Sequence, residues 1–396
     1  MKPYTTLHTL CASLIALLCA LFAPPLRAQA QEAYVHQSTD KATLTFFYDT
    51  QRSSRDGTTW SINDQKQGYD TMVPAWVGTD GNPNTTTTKA VFDPSFKDFR
   101  PTTTANWLQG LWYLETVEGL ENLNTSQVTN MSRMFDDNKA LKAIDLSHFQ
   151  TENVTDMSKM FYYCLALKKL DISNFNTKNV MDMSKMFAHC ESLKSLEIKH
   201  FNTEKVKSME RMFKECYALT SLDLSNFNTE EVKDVESMFE HCTMLEWVDL
   251  TNFQIGDASN TFSMFEDCVN LTTIFCNHAW SGFQDNTFNN CPKLKGAVAY
   301  DATKTGTTMA NPQTGYFTKK PEAYAHQSED QKTLTFYYDK LRTSRKGHTW
   351  SINDQKKEYD TMVPAWTGTV DPYDIPIKKA VFDPSFKDFR PTTTAN

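Results

Sequence analysis

The sequence has no cluster of basic residues, no Gly-rich phosphate loop, no nucleophile elbow and no metalloprotease helix. The first absence, with a formal net charge of −8, argues against nucleic acid, since phosphate binding needs grouped cations. The other three remove the usual signatures of phosphoryl transfer, serine hydrolysis and zinc proteolysis. Carboxylates do line up, but they recur at one position of a repeat. Equivalent residues in every layer do not differentiate into acid and base. The expectation is a protein that binds and does not catalyse, with no cofactor.

Long apolar runs are also missing, except at the start. Residues 1–30 combine Lys2, an apolar run from Leu10 to Ala23 and the small-residue pattern Ala28-Gln29-Ala30. That run is short for a bilayer span of about 20 residues, so a signal anchor fits less well than a cleaved signal peptide. Cys19 follows Leu17-Leu18, a poor match to a lipidation box. The mature chain is therefore expected to be secreted or held at the cell surface, with no membrane span. Without Lys2 and Arg27 its formal charge is about −10, which favours basic or cation-bridged partners.

What the chain does have is repetition on two scales. A 26-residue phrase starts at Asp145, Asp171, Glu197, Asp223 and Asp249, and reads most clearly as DISNFNTKNVMDMSKMFAHCESLKSL from Asp171 to Leu196. A unit that short cannot bury its own apolar face, so it must stack on its neighbours as a solenoid. The larger repeat is a duplication: Glu32–Asn106 and Glu322–Asn396 agree at about 50 of 75 positions, with TMVPAW and KAVFDPSFKDFRPTTTAN in both. Differences gather at residues 80–88 against 370–378, as in a solvent loop. Aromatic and β-branched stretches such as Leu44–Tyr48 and Leu334–Tyr338 read as strands. The second copy stops one residue before the Trp that opens the array after the first, which reads as a chain continuing into a second array.

Within each repeat the Leu170-Asp171-Ile172 alternation predicts a short strand. Asn176-Thr177 offers a helix cap, and Val180, Met183, Met186 and Phe187 lie at helical spacing. The expected fold is α/β: a solenoid of about seven 26-residue repeats, with a parallel sheet on one side and helices on the other, flanked by small β caps. The expected divisions are a signal peptide at 1–30, a β cap unit at 31–106 and the solenoid at 107–298. A closing segment and linker at 299–321 then lead to a second cap unit at 322–396. Cys276 and Ala279 break the repeat pattern in the last layer.

The phrase LDLSxFNTxxVxxMxxMFxxC resembles the BspA-like leucine-rich repeat surface proteins of Bacteroidota and the related mycoplasma lipoprotein repeats. The likeness covers residues 107–317, and FDPSFKDFRPTTT resembles that family's lead-in. What the resemblance implies is a leucine-rich repeat fold, exposure at the cell surface, and adhesion to proteins of a host or of other bacteria.

Several residue sets admit a structural and a functional reading. Cys164, Cys190, Cys216, Cys242, Cys268 and Cys291 hold one position in successive repeats, with Asn138 in the first. Layers about 5 Å apart meet the Cα limit for a disulfide, but parallel Cβ atoms would stay near that separation, beyond the usual 3.5–4.5 Å. A ladder of free buried thiols is expected. His189-Cys190 and His241-Cys242 lie two layers apart, roughly 10 Å, too far to share zinc at about 2.0–2.3 Å per bond. The methionines (131, 134, 157, 160, 183, 186, 209, 212, 238 and 264), beside Phe135, Phe161, Phe187, Phe213, Phe239 and Phe265, read as core.

Asp145, Asp171, Glu197, Asp223 and Asp249 should form an exposed column, with Lys168, Lys169 and Lys194 relieving some of its repulsion. Each carboxylate either ties down its own turn or belongs to an acidic stripe that meets a cationic partner, with Trp247 as anchor. Glycan binding is the alternative function, with Trp60, Trp76, Trp350 and Trp366 as candidate platforms. A structural spacer is a third.

Overall fold

The computed structural model describes residues 30–388, apart from 69–70, 80, 257–258, 283, 353–354, 359–360 and 365–378. The expected signal peptide lies outside the described residues except for Ala30.

The first β unit contains β1 (Glu32–Gln37), β2 (Thr43–Asp49), β3 (Thr58–Ser61), β4 (Gln65–Gln67), β5 (Met72–Pro74) and β6 (Lys89–Phe92). Alternation drives β2: Leu44 and Phe46 are fully buried while Thr43 and Thr45 are partly exposed. The main sheet runs β3-β1-β2-β6 and then takes in β7 (Thr116–Glu118), parallel to β6. The sheet therefore crosses the expected boundary at Asn106. Its core is aromatic: Phe46 stacks on Phe92 at 4.4 Å and on Trp107 at 5.6 Å. Trp76 meets Phe46 edge-on, and its indole N–H donates to the Trp107 carbonyl at 2.8 Å. Burying each such ring contributes roughly 1.5–3 kcal/mol. First unit and array thus share one apolar core.

The array departs from the expected α/β form. Among the described residues there is no α-helix. The Val-Met-Met-Phe segments are stacked turns, and each carries two left-handed residues, such as Lys159 and Tyr163 (both φ 57°) or Lys185 (57°) and His189 (60°). Alternate N–H groups leave the turn for the next layer: Lys159 donates to Ser184 O (2.8 Å), Phe161 to Met186 O (2.9 Å) and Tyr163 to Ala188 O (3.0 Å). A helix would use those donors internally. Spacings of three and four turn side chains inward in successive tight turns as well, which is why the pattern passes for helical. Left-handed backbone costs roughly 1–2 kcal/mol per non-Gly residue. The interlayer bonds and the stacked core offset it.

The sheet is thinner than expected too. β8 (Ser221–Asp223), β9 (Trp247–Asp249), β10 (Thr273–Phe275) and β11 (Phe317–Thr318) form a parallel ladder at the C-terminal end of the array. Earlier layers run alongside one another with scattered bonds, such as Lys168 N–H to Lys142 O at 3.1 Å. Single parallel bridges at Asn130, Asp156, Asp182, Ser208, Asp234 and Asn260 make a second ladder beside the turns. Between the two, the Phe column stacks ring on ring, with centroids 5.6 Å apart for Phe135–Phe161, 5.8 Å for Phe161–Phe187 and 5.7 Å for Phe187–Phe213.

The threonine expected to cap a helix does other work. Thr125, Thr151, Thr177, Thr203 and Thr229 are buried in one column. Each ties its layer to the next: the Thr203 hydroxyl accepts the Asn228 N–H (2.8 Å) and donates to the Asn228 carbonyl (2.7 Å). Thr203→Val keeps the shape and leaves both backbone groups unpaired. It should cost about 1–3 kcal/mol in urea unfolding; a loss below 0.5 kcal/mol, by the same scale, would show the stitch is dispensable.

After β11 come β12 (Glu322–Gln327), β13 (Thr333–Asp339), β14 (His348–Ser351), β15 (Gln355–Glu358), β16 (Thr361–Pro364) and β17 (Lys379–Phe382). Their main sheet, β14-β12-β13-β17, repeats the order of the first unit. Phe336 stacks on Phe382 at 4.7 Å, as Phe46 does on Phe92. The burial differs: Phe92 is 1% exposed and Phe382 66%.

Candidate interaction surface

The strand segments of the array put alternate residues outside. In β9, Val248 is buried and Trp247 is 38% exposed. Trp247 sits between Ser221 and Thr273 on the neighbouring strands and meets the Phe275 ring edge-on at 6.4 Å. It is a large aromatic on an otherwise polar strip.

The five acids do not form one uniform column. Asp145, Asp171 and Glu197 are exposed, beside exposed Lys142, Lys168, Lys169 and Lys194, so the surface there has mixed charge. Asp223 is half-buried and held by Lys199 Nζ at 3.0 Å. Asp249 departs from the expectation of exposure: it is 1% exposed, because Lys320 of the following linker lies over it and pairs with it. Lys320 also sits 5.1 Å from the centre of the Phe275 ring. The pair spans 71 residues of sequence, so no local pattern announces it.

All four of these aspartates tie down their own turns. Asp145 Oδ1 accepts the Ser147 N–H at 2.9 Å, Asp171 the Ser173 N–H at 3.0 Å, Asp223 the Ser225 N–H at 3.0 Å and Asp249 the Thr251 N–H at 3.0 Å. Those backbone bonds hold the Asp145 and Asp171 carboxyls below their ordinary range. At Asp223 burial pushes upward, and the bonds from Ser225 and Lys199 outweigh it. Turn-locking does not use up a carboxylate, which keeps further acceptor positions. Glu197 has no equivalent local bond among those described.

The cysteine column lies fully inside. All six of its thiols are free and buried, as is Cys276. Each donates to the carbonyl of the Phe in the preceding layer, as Cys190 does to Phe161 O (3.2 Å) and Cys216 to Phe187 O (3.1 Å). Asn138 fills the same slot by donating from Nδ2 to Leu108 O at 2.7 Å. The sequence, with Asn138 in place of Cys, points to a slot for a small, inward, weakly polar side chain, and the structure adds that this side chain donates to a carbonyl of the preceding layer. The ten methionines of the stripe are buried in the core.

The tryptophans proposed as sugar platforms are placed differently from one another. Trp76 is 2% exposed, and Trp60 packs against the same core. Trp350 is half-buried beside His348, with ring centroids 5.9 Å apart. Trp366 lies outside the described residues. Among the described residues no group of three or more His, Cys, Asp or Glu is arranged to hold a metal ion. No helix there is long and apolar enough to cross a membrane.

Comparison with known proteins bears on the array. The family described as "Mycoplasma protein of unknown function, DUF285" matches residues 114–170 and 166–280. A leucine-rich repeat protein from Eubacterium ventriosum resembles the chain at 14% identity, over 74% of this chain and 92% of that one, with a TM-score of 0.26. A likeness at that score says nothing of how the layers are arranged. No curated protein matches the sequence. The residues matched are those that carry the 26-residue phrase, and the repeat array of this chain is similar to that mycoplasma family.

Proposed function

We propose that the chain is an exported surface protein whose array binds a protein ligand on a host or bacterial surface through its outer strand face. The observation that carries this is Trp247, 38% exposed and held by a parallel ladder over a continuous core. Rigid, half-exposed aromatics are the residues on which binding energy concentrates. The exposed acids Asp145, Asp171 and Glu197, interleaved with Lys142, Lys168, Lys169 and Lys194, extend the same face towards the N-terminal layers and offer a partner contacts of both signs.

The test is binding of the full chain to a panel of extracellular-matrix proteins and a panel of glycans. Trp247→Ala should weaken protein binding by about 30-fold or more, on the scale of a 2 kcal/mol hot spot. The variant should still unfold in one cooperative urea transition, which separates loss of binding from loss of the fold. Asp145→Asn, Asp171→Asn and Glu197→Gln together should slow association and leave folding intact. Binding that survives Trp247→Ala unchanged removes this face from consideration. Binding to neither panel would favour the spacer.

A further inference from the structure

Arg133, Lys159, Lys185 and Arg211 occupy one position in four consecutive repeats. All four are left-handed, with φ between 54° and 57°, so the layers present their side chains in the same sense. The chain as a whole is acidic, and this column gathers cations on the turn side, with Arg133 paired to Asp136 and both Lys185 and Arg211 to Glu210. Lys159, Lys185 and Arg211, with Lys214, line a recess of about 350 Å³.

The rest of the wall is aromatic. Tyr163 stacks flat on His189 at 3.9 Å, and Tyr162 meets Tyr163 edge-on at 4.5 Å. One carboxylate, Glu215, also lines the recess; it lies 3.1 Å from His189 Nδ1 and accepts from the Tyr217 hydroxyl at 2.7 Å. The carboxylates that steady the cations are not part of the lining: Glu210 holds Lys185 (3.1 Å) and Arg211 (2.9 Å), and Glu240 holds Lys214 (2.8 Å). Glu236 likewise holds Arg211, at 2.6 Å. Donors remain in excess. A lysine carries three and an arginine five, and Arg211 Nε is shielded from solvent with no hydrogen-bond partner.

We propose that this recess binds an acidic sugar, its carboxylate or sulfate held by Lys159, Lys185 and Arg211 and its ring lying against Tyr162. The volume falls near the low end of ordinary ligand pockets, about 300–1,000 Å³, and suits a small ring better than a protein face. Charge-assisted bonds from several cations to one anion are strong and directional. This site is independent of the strand face, so loss of either leaves the other to be measured.

Titration calorimetry on the full chain tests it, with glucuronic acid and glucose 6-sulfate as probes. Glucose, sodium sulfate and tetraglutamate are the controls. Both acidic sugars should bind, and glucose should not. Lys159→Gln with Lys185→Gln should weaken binding about tenfold or more. Tyr162→Ala, which keeps every charge, should weaken it as well. Lys168→Gln with Lys169→Gln, at exposed positions outside the recess, should leave it unchanged. Glucose binding equally well, or sulfate binding as tightly as the sugars, overturns the proposal. So does tetraglutamate binding alone, which would make the partner an acidic protein. So does the absence of binding by any probe.

Discussion

Raising the pH from 8 to 10 should remove most of this protein's resistance to urea. Burial pushes all seven described thiols up, Cys216, Cys276 and Cys291 to about 12 and Cys190, Cys242 and Cys268 well above their ordinary 9.0. Cys164 moves in the same direction for the same reason. Below about pH 8 folded and unfolded chains both keep these protons, and the thiols leave stability flat. Above pH 9 the unfolded chain releases protons that the folded chain retains, so stability falls as pH rises, until the folded thiols themselves ionise. At pH 10 the loss is about 1 kcal/mol per thiol, on the order of 7 kcal/mol in all. Domains are typically stable by only about 5–15 kcal/mol. Urea unfolding at half-unit steps measures the slope. Cys216→Ser keeps a donor for the Phe187 carbonyl and should flatten the slope by about one thiol's share. A flat profile between pH 8 and 10 would mean that the thiols are oxidised or open to water.

Phe187→Ala should be the most damaging single change in the middle of the array, costing about 3–5 kcal/mol. Phe187 is fully buried between Phe161 and Phe213, with ring planes 3° and 8° from parallel. Truncation removes two ring contacts and leaves a cavity that fixed layers above and below cannot close. Lys168→Ala, at an exposed site, should stay within about 0.5 kcal/mol of the parent. In a solenoid each layer touches only its neighbours, so the damage should appear as early hydrogen exchange in the layers of Phe161, Phe187 and Phe213. A loss below 1 kcal/mol, well under the range for buried aromatics, would mean that the Phe column is not the core.

Much of the array was legible because its period is strict. Each inward residue recurs at 26, and recurrence of the same apolar type picks out Met183, Phe187 and Cys190. The helix expectation failed at those same residues. Spacings of three and four also fit successive turns, and the choice is made by where the N–H of Phe161 goes, which is to Met186 O in the next layer. The threonine column could have been found: Thr151, Thr177, Thr203 and Thr229 keep register as strictly as the cysteines do. So could the cations from Arg133 to Arg211. Both are polar residues in register, and polar residues in a repeat are easily taken for surface.

By itself the sequence determined the layering and the identity of its inward residues, because a 26-residue unit has no other way to hide Leu, Met and Phe. Only the tertiary structure decided which polar groups meet. Asp249 is buried because Lys320 arrives from 71 residues away, while Asp171, in the same repeat position, stays in water. Apolar burial follows from a pattern that neighbouring residues carry. Pairing and exposure depend on which distant segment comes to lie against a residue, and short-range sequence holds no record of it.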